Sequence, residues 1–246
     1  TDRQWHHFGK AYIFLAALAT PLVLSVHSVV SWDFAMSIVP GWHATIFAPY
    51  FVAGAIFAGV GMVITLTVPM RKFFGLEAYL TTKHYDAMAK LCLLTSMIVL
   101  YAYMSEFFMA WYSGEEIERT AFWNRLFGDY WWATWIMLVC NGMVPIMLWF
   151  KRVRHSIPAL FVISIFINIG MWFERFVIVV TSLHHEYEPF AWGMYRPSVT
   201  EMMIMVGSFA WFGFWFLLFT RLLPPIAIQE LKEVLPPPMR KQKEAH

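Results

Sequence analysis

Residues 157–181 read IPALFVISIFINIGMWFERFVIVVT, and only Glu174 and Arg175 in that run carry charge. A helix crossing a hydrocarbon core of about 30 Å needs about 20 mostly apolar residues, so this run is long enough to span a membrane. Pro158 falls in its first turn, where a missing backbone N–H costs nothing. Five other stretches share the character: about 11–36, 47–70, 87–111, 131–150 and 201–223. Pro49 opens the second, Ser198 and Glu201 form an S-x-x-E capping pattern before the last, and Pro224 and Pro225 stop it. Short alternating segments of a membrane barrel do not occur. The pattern predicts an all-α, polytopic transmembrane helical bundle of about six spans over residues 1–223. A cytoplasmic tail follows over 224–246, rich in proline and basic residues and suited to lipid headgroups.

The whole composition agrees. Of 246 residues, 59% are hydrophobic, 19% aromatic and only 14% charged, against roughly 25% charged in an ordinary soluble domain. Mean hydropathy is +0.56. These values exclude a soluble enzyme, a disordered tail, a secreted disulfide scaffold and a nucleic-acid binder. Cys92 and Cys140 stand alone inside apolar runs and read as small core residues, too few for an iron–sulfur or zinc site.

Basic residues set the orientation. With six spans, both termini and the second and fourth connections share one side, and that side holds 14 of the 18 Lys and Arg residues. The other side holds Arg119, Arg125 and Arg196, with Arg175 inside a span. The expected topology therefore has both termini in the cytoplasm and an acidic outer side carrying Glu115, Glu116, Glu118, Asp129, Glu186, Glu188 and Glu201. The chain starts at Thr1, which reads as a processed chain or part of a longer one.

Ionisable groups inside a span cost about 2.5–3.5 kcal/mol or more and mark function or pairing. Five qualify: His27 and Asp33 in the first span, Glu106 in the third, Glu174 and Arg175 in the fifth. Asp33, Glu106 and Arg175 fall near the outer ends of three helices that run in the same direction, so they are candidates for one buried cluster. Neighbours in sequence are about 100° apart on a helix, so Glu174 and Arg175 are expected to pair poorly with each other. Arg175 should then look to Asp33 or Glu106. Asn168, Trp172 and Arg175 share a helix face; Tyr101 and Ser105 share another. Hydrogen-bonding groups, a proton acceptor and flat apolar walls are what a quinone ring requires. The competing reading is a charge-paired helix interface without a ligand, and His27 alone fits a satisfied core histidine. Pro145 should kink the fourth span by depriving the Asn141 carbonyl of its partner. Gly54, Ala58, Gly59 and Gly61 should allow close helix approach. Only His27 lies well inside a span, so a bis-histidine haem is not expected.

Several runs carry a family resemblance: Val26-His27-Ser28-Val29-Val30-Ser31-Trp32-Asp33-Phe34-Ala35, Val39-Pro40-Gly41-Trp42-His43, Pro49-Tyr50-Phe51-Val52-Ala53-Gly54-Ala55, Glu106-Phe107-Phe108-Met109-Ala110-Trp111-Tyr112-Ser113-Gly114 and Trp172-Phe173-Glu174-Arg175-Phe176. Together they resemble the NrfD/PsrC-like quinone-interacting membrane subunits, and within them the group that serves bacterial alternative complex III. The resemblance implies a quinol-oxidising membrane subunit of a respiratory complex in the bacterial cytoplasmic membrane, with menaquinol as the expected quinol. It implies no haem or metal in this chain. Partners would be an iron–sulfur subunit on the outer side, c-type cytochrome subunits, a second NrfD-like membrane subunit and membrane lipids. It implies Asp33, Tyr101 and Arg175 as quinol-site residues, with Asp33 the base. His27, Glu106 and Glu174 would support them or conduct protons, with coupling to proton translocation left open, and Asn168 and Trp172 would line the site. The family carries about ten spans, so the six here correspond to its C-terminal part. Rival readings are a proton channel or transporter, disfavoured by inner halves almost empty of ionisable residues, and a structural NrfD-like subunit that binds no quinol.

Overall fold

The computed structural model describes residues 2–185, 187, 188, 190, 192–227 and 231. Much of the expected basic tail, including Pro236–Pro238, Arg240, Lys241 and Lys243, lies outside the described residues, as does Glu186. Six helices are long and apolar enough to cross a membrane: α1 (Asp2–Ala35), α2 (Phe47–Phe73), α3 (Thr82–Ser113), α5 (Trp131–Trp149), α6 (Ile157–His184) and α7 (Val199–Leu222). Between α3 and α5 lies a shorter helix, α4 (Glu116–Phe127), which the span pattern does not announce. Its charged and apolar residues alternate at helical spacing. It packs on α3 and α5 and buries Ala121, Phe122 and Arg125.

The chain divides after Met194 into two units. In the first, α2, α3, α5 and α6 form a ring of four contacting helices, and α1 leans on α2. No residue in the most apolar stretch of α1 is buried. The second unit contains α7, whose N-terminus is closed by the expected capping box. Glu201 N–H donates to Ser198 Oγ at 3.3 Å, and Glu201 Oε2 accepts from Ser198 N–H at 2.5 Å.

Two apolar clusters fill the four-helix ring. One gathers Phe47, Tyr50, Phe51, Val99, Met137 and Val177. The other gathers Phe57, Tyr85, Cys92, Leu148, Leu160 and Ile167. Each helix passes from one cluster to the other through a short stretch, and in α2, α5 and α6 these stretches hold Gly54, Asn141 and Glu174. A polar layer is thus set between two dry ones. The start of α4 and the connections beside the first cluster carry Glu115, Glu116, Glu118 and Asp129, and this is the acidic end. The other, basic end carries Arg71, Lys72, Lys83, Lys151, Arg152 and Arg154.

Pro145 has the expected effect on α5, with a larger range. The helix widens into a π turn over Leu138–Met143 and tightens to a 3-10 turn over Met147–Trp149, because proline removes a donor and crowds the preceding turn. A second π turn interrupts α6 at Val177–Thr181. Gly61 supplies the close approach of α2 to α6: a Cβ there would lie 2.8 Å from Ile167 Cγ2. Gly59, by contrast, meets nothing within 4 Å.

Candidate functional site

Glu174 is wholly buried in the polar layer. The Tyr103 hydroxyl donates to its Oε2 in a short hydrogen bond. Asn141 Nδ2 donates to Tyr103 Oη at 3.0 Å and lies 3.4 Å from the same Glu174 oxygen. Asn141 stands in the π turn of α5 and Glu174 one turn before that of α6, so both widened turns border this cluster. The Tyr50 ring meets the Tyr103 ring edge-on at 5.7 Å.

Arg175 Nη2 lies 3.3 Å from Glu174 Oε1, an ion pair that helix geometry alone disfavoured. A long arginine side chain can turn back along its own helix, and here it also rests on the Phe51 ring at 4.7 Å. Gly54 of α2 borders this corner, and a Cβ there would make an ordinary contact with Arg175 Nη2 at 3.8 Å. Apart from this ion pair, Glu174 Oε1 has no hydrogen-bond partner among the described residues.

The other expected members disperse. Asp33 is exposed on α1, and no ion pair joins it to Arg175. It sits two residues from the end of α1, Glu106 seven from the end of α3 and Arg175 nine from the end of α6. His27 turns back on its own helix, with Nδ1 2.9 Å from Val23 O. Asn168 belongs to a separate α2–α6 contact, donating to Thr65 Oγ1 at 2.8 Å. Trp172 is 41% exposed and packs on Phe173 and Phe176.

Glu106 and Tyr101 do meet, at a cavity of about 510 Å3 that opens at the acidic end. Ser105, His43, Glu118 and Phe122 line it with them. Tyr101 is 68% exposed, so it forms an outer wall. Glu106 Oε1 is buried without a hydrogen-bond partner. A second, small cavity of about 20 Å3 lies behind Glu106, bordered by Tyr50, Tyr103, Arg125 and Thr134. That is about the space of one water, and Thr134 Oγ1 is a second buried atom there without a partner.

Arg125, counted among loop charges in the sequence, is only 6% exposed. It donates to Ser182 Oγ at 2.6 Å and lies 4.5 Å over the Phe122 ring. Burial pulls its guanidinium below its ordinary value, while Glu106, Tyr50 and Glu118 oppose that pull. Gly41 makes room for it: its φ is +79°, and a Cβ would lie 2.7 Å from Arg125 Nη2.

The molecule is therefore a multi-pass helical membrane protein with a buried carboxylate layer connected towards a cavity at one end. The sequence pattern of the family described as polysulphide reductase, NrfD, matches residues 3–185. The chain belongs to the NrfD family. It is also similar to a putative membrane subunit of dimethyl sulfoxide reductase from Halobacterium salinarum, with 27% identity over 221 residues. That match covers 78% of this chain and 48% of the relative, so the chain spans about half the length of the curated relative it matches.

Proposed function

We propose that this chain is a quinol-binding, quinol-oxidising membrane subunit of a respiratory quinol:acceptor oxidoreductase of the alternative complex III type. The observation that carries the reading is the cavity lined by Tyr101, Ser105 and Glu106, whose Oε1 has no hydrogen-bond partner among the described residues, between apolar walls that include Phe108 and Met109. Its volume is in the range of organic ligand sites, and its donors and acceptors suit the two oxygens of a quinol ring. A bound quinol supplies two electrons and two protons.

Glu106 would accept a hydroxyl proton, Tyr101 would hold the second oxygen, and the aromatic walls would exclude water. Electrons would pass to an iron–sulfur partner at the acidic end, taken as the outer side of a bacterial cytoplasmic membrane, and on to c-type haems. A water in the small cavity would join Glu106 to the Tyr103–Glu174 pair, with Arg125 steadying the negative charge. Through that link proton release could couple to translocation. Menaquinol is the quinol proposed from the resemblance.

A second reading keeps Asp33 as the base. Asp33 is exposed on α1, and no residue of that helix's most apolar stretch is buried among the described residues. In this reading a companion NrfD-like bundle closes a quinol site against that face, with His27 beside it and Arg175 behind.

The deciding experiment is quinol-dependent haem reduction by the purified complex, with assembly checked by the stoichiometry of its polypeptides. Loss of about a hundredfold or more in Glu106→Gln, with Asp33→Asn unchanged, supports the cavity. The reverse supports the α1 face. Unchanged turnover in both variants overturns quinol oxidation by this chain and leaves a structural NrfD-like protein.

A further inference from the structure

The mouth of the larger cavity carries a set of groups that quinol chemistry does not use. His43 lies in the α1–α2 loop with Nδ1 3.3 Å from the Val39 carbonyl. In the tautomer that donates Nδ1–H to this carbonyl, the Nε2 lone pair is left for a ligand. That Nε2 faces Glu118 Oε1 at 2.6 Å. A hydrogen between the two atoms, or a metal ion bound by both, accounts for so close an approach.

A third ligand stands beside them. Glu115 precedes α4 and Glu118 lies in its first turn, and the ligand atoms of His43, Glu115 and Glu118 all lie within 4.8 Å of one another. Deeper in the same cavity is Glu106, with a buried oxygen that has no hydrogen-bond partner. Two glutamates and one imidazole thus gather at the mouth, with the Glu106 carboxylate deeper in the cavity and the Arg125 guanidinium behind it. An imidazole whose other nitrogen is held by a backbone carbonyl is the usual orientation of a metal-binding histidine.

We propose that His43, Glu115 and Glu118 bind a divalent transition-metal cation of the zinc type at the mouth of the cavity, with Glu106 behind it. One nitrogen and two carboxylate ligands leave a fourth position, on the cavity side, for water. Ligands around tetrahedral zinc stand about 3.3 Å apart, so the His43–Glu118 contact opens by several tenths of an ångström on loading. Glu115 is exposed and free to swing in. A cation at this point closes the mouth and slows exchange through the cavity; that consequence, unlike the binding itself, rests on the quinol reading above.

The test is zinc binding to the purified complex by equilibrium dialysis, in excess magnesium, for native protein and for His43→Ala, Glu115→Gln, Glu118→Gln and His185→Ala. The native complex and the His185→Ala control are expected to hold one zinc per chain more than His43→Ala, with affinity weakened about tenfold or more in either glutamine variant. Zinc at that occupancy is expected to slow quinol-dependent haem reduction in the native complex and not in His43→Ala, each compared with its own zinc-free rate. Equal zinc content in the native and all ligand variants overturns the site and leaves an ion-paired start to α4. Binding lost in His43→Ala, with native turnover indifferent to zinc, keeps the site and overturns its control of the cavity.

Discussion

The Tyr103 hydroxyl donates to Glu174 Oε2 across 71 positions of chain, tying α3 to α6 at two buried side chains. Asn141 reaches both partners from α5. Tyr103→Phe keeps the ring against Tyr50 and removes only the hydroxyl. The expected result is a loss of about 1–2 kcal/mol in resistance to unfolding in detergent, because the carboxylate oxygen keeps Asn141 alone. Tyr101→Phe, on the surface of the same helix, is expected to leave stability unchanged.

Helix spacing makes a separate prediction. A methyl at position 61 would meet Ile167 Cγ2 at 2.8 Å. Gly61→Ala is therefore expected to cost about 1–3 kcal/mol by overpacking. Ile167→Ala removes the atom that is struck. The double variant should lose less than the sum of the two single losses, which a thermal-unfolding cycle would read as coupling. Strict additivity would mean that α2 and α6 do not touch there.

At the acidic end, Arg125 is a buried cation with Glu106 as its nearby opposite charge. Arg125→Met is expected to destabilise the complex by on the order of 3 kcal/mol, since it leaves the buried carboxylate without compensation. Adding Glu106→Gln should restore part of that loss. Gly41→Ala should weaken the same corner, both through its positive φ and through collision with the guanidinium. The yield of assembled complex and the melting temperature of each variant test this.

The spans were legible because twenty apolar residues in a row have one physical explanation, and Ser198, Pro158 and Pro145 marked ends and breaks through chemistry local to each. Glu174 was legible as a charge in the wrong solvent. Its partners were not. Positions 101 and 103 differ by about 200° around α3, and a helix that is apolar all round gives no sign of which faces inward. The pattern drew attention to Tyr101, while Tyr103 is the tyrosine that reaches Glu174. Asn141 came forward only for its carbonyl, because the π turn that accompanies its inward placement depends on tertiary packing. Arg125 was hidden by the habit of assigning loop charges to water, since α4 folds over the end of the bundle.

Orientation rests on charge alone and can be tested directly. The basic end should face the cytoplasm, where lysine and arginine accumulate beside spans. Cysteine introduced at Glu77, in the α2–α3 connection, should react with a membrane-impermeant maleimide only after the membrane is opened. Cysteine at Glu116, at the start of α4, should react in intact cells. Native Cys92 and Cys140 are buried and supply a low background. The inverted pattern would place the Glu106 cavity on the cytoplasmic side. Protons from quinol would then be released inward, and the iron–sulfur partner would have to dock from the cytoplasm.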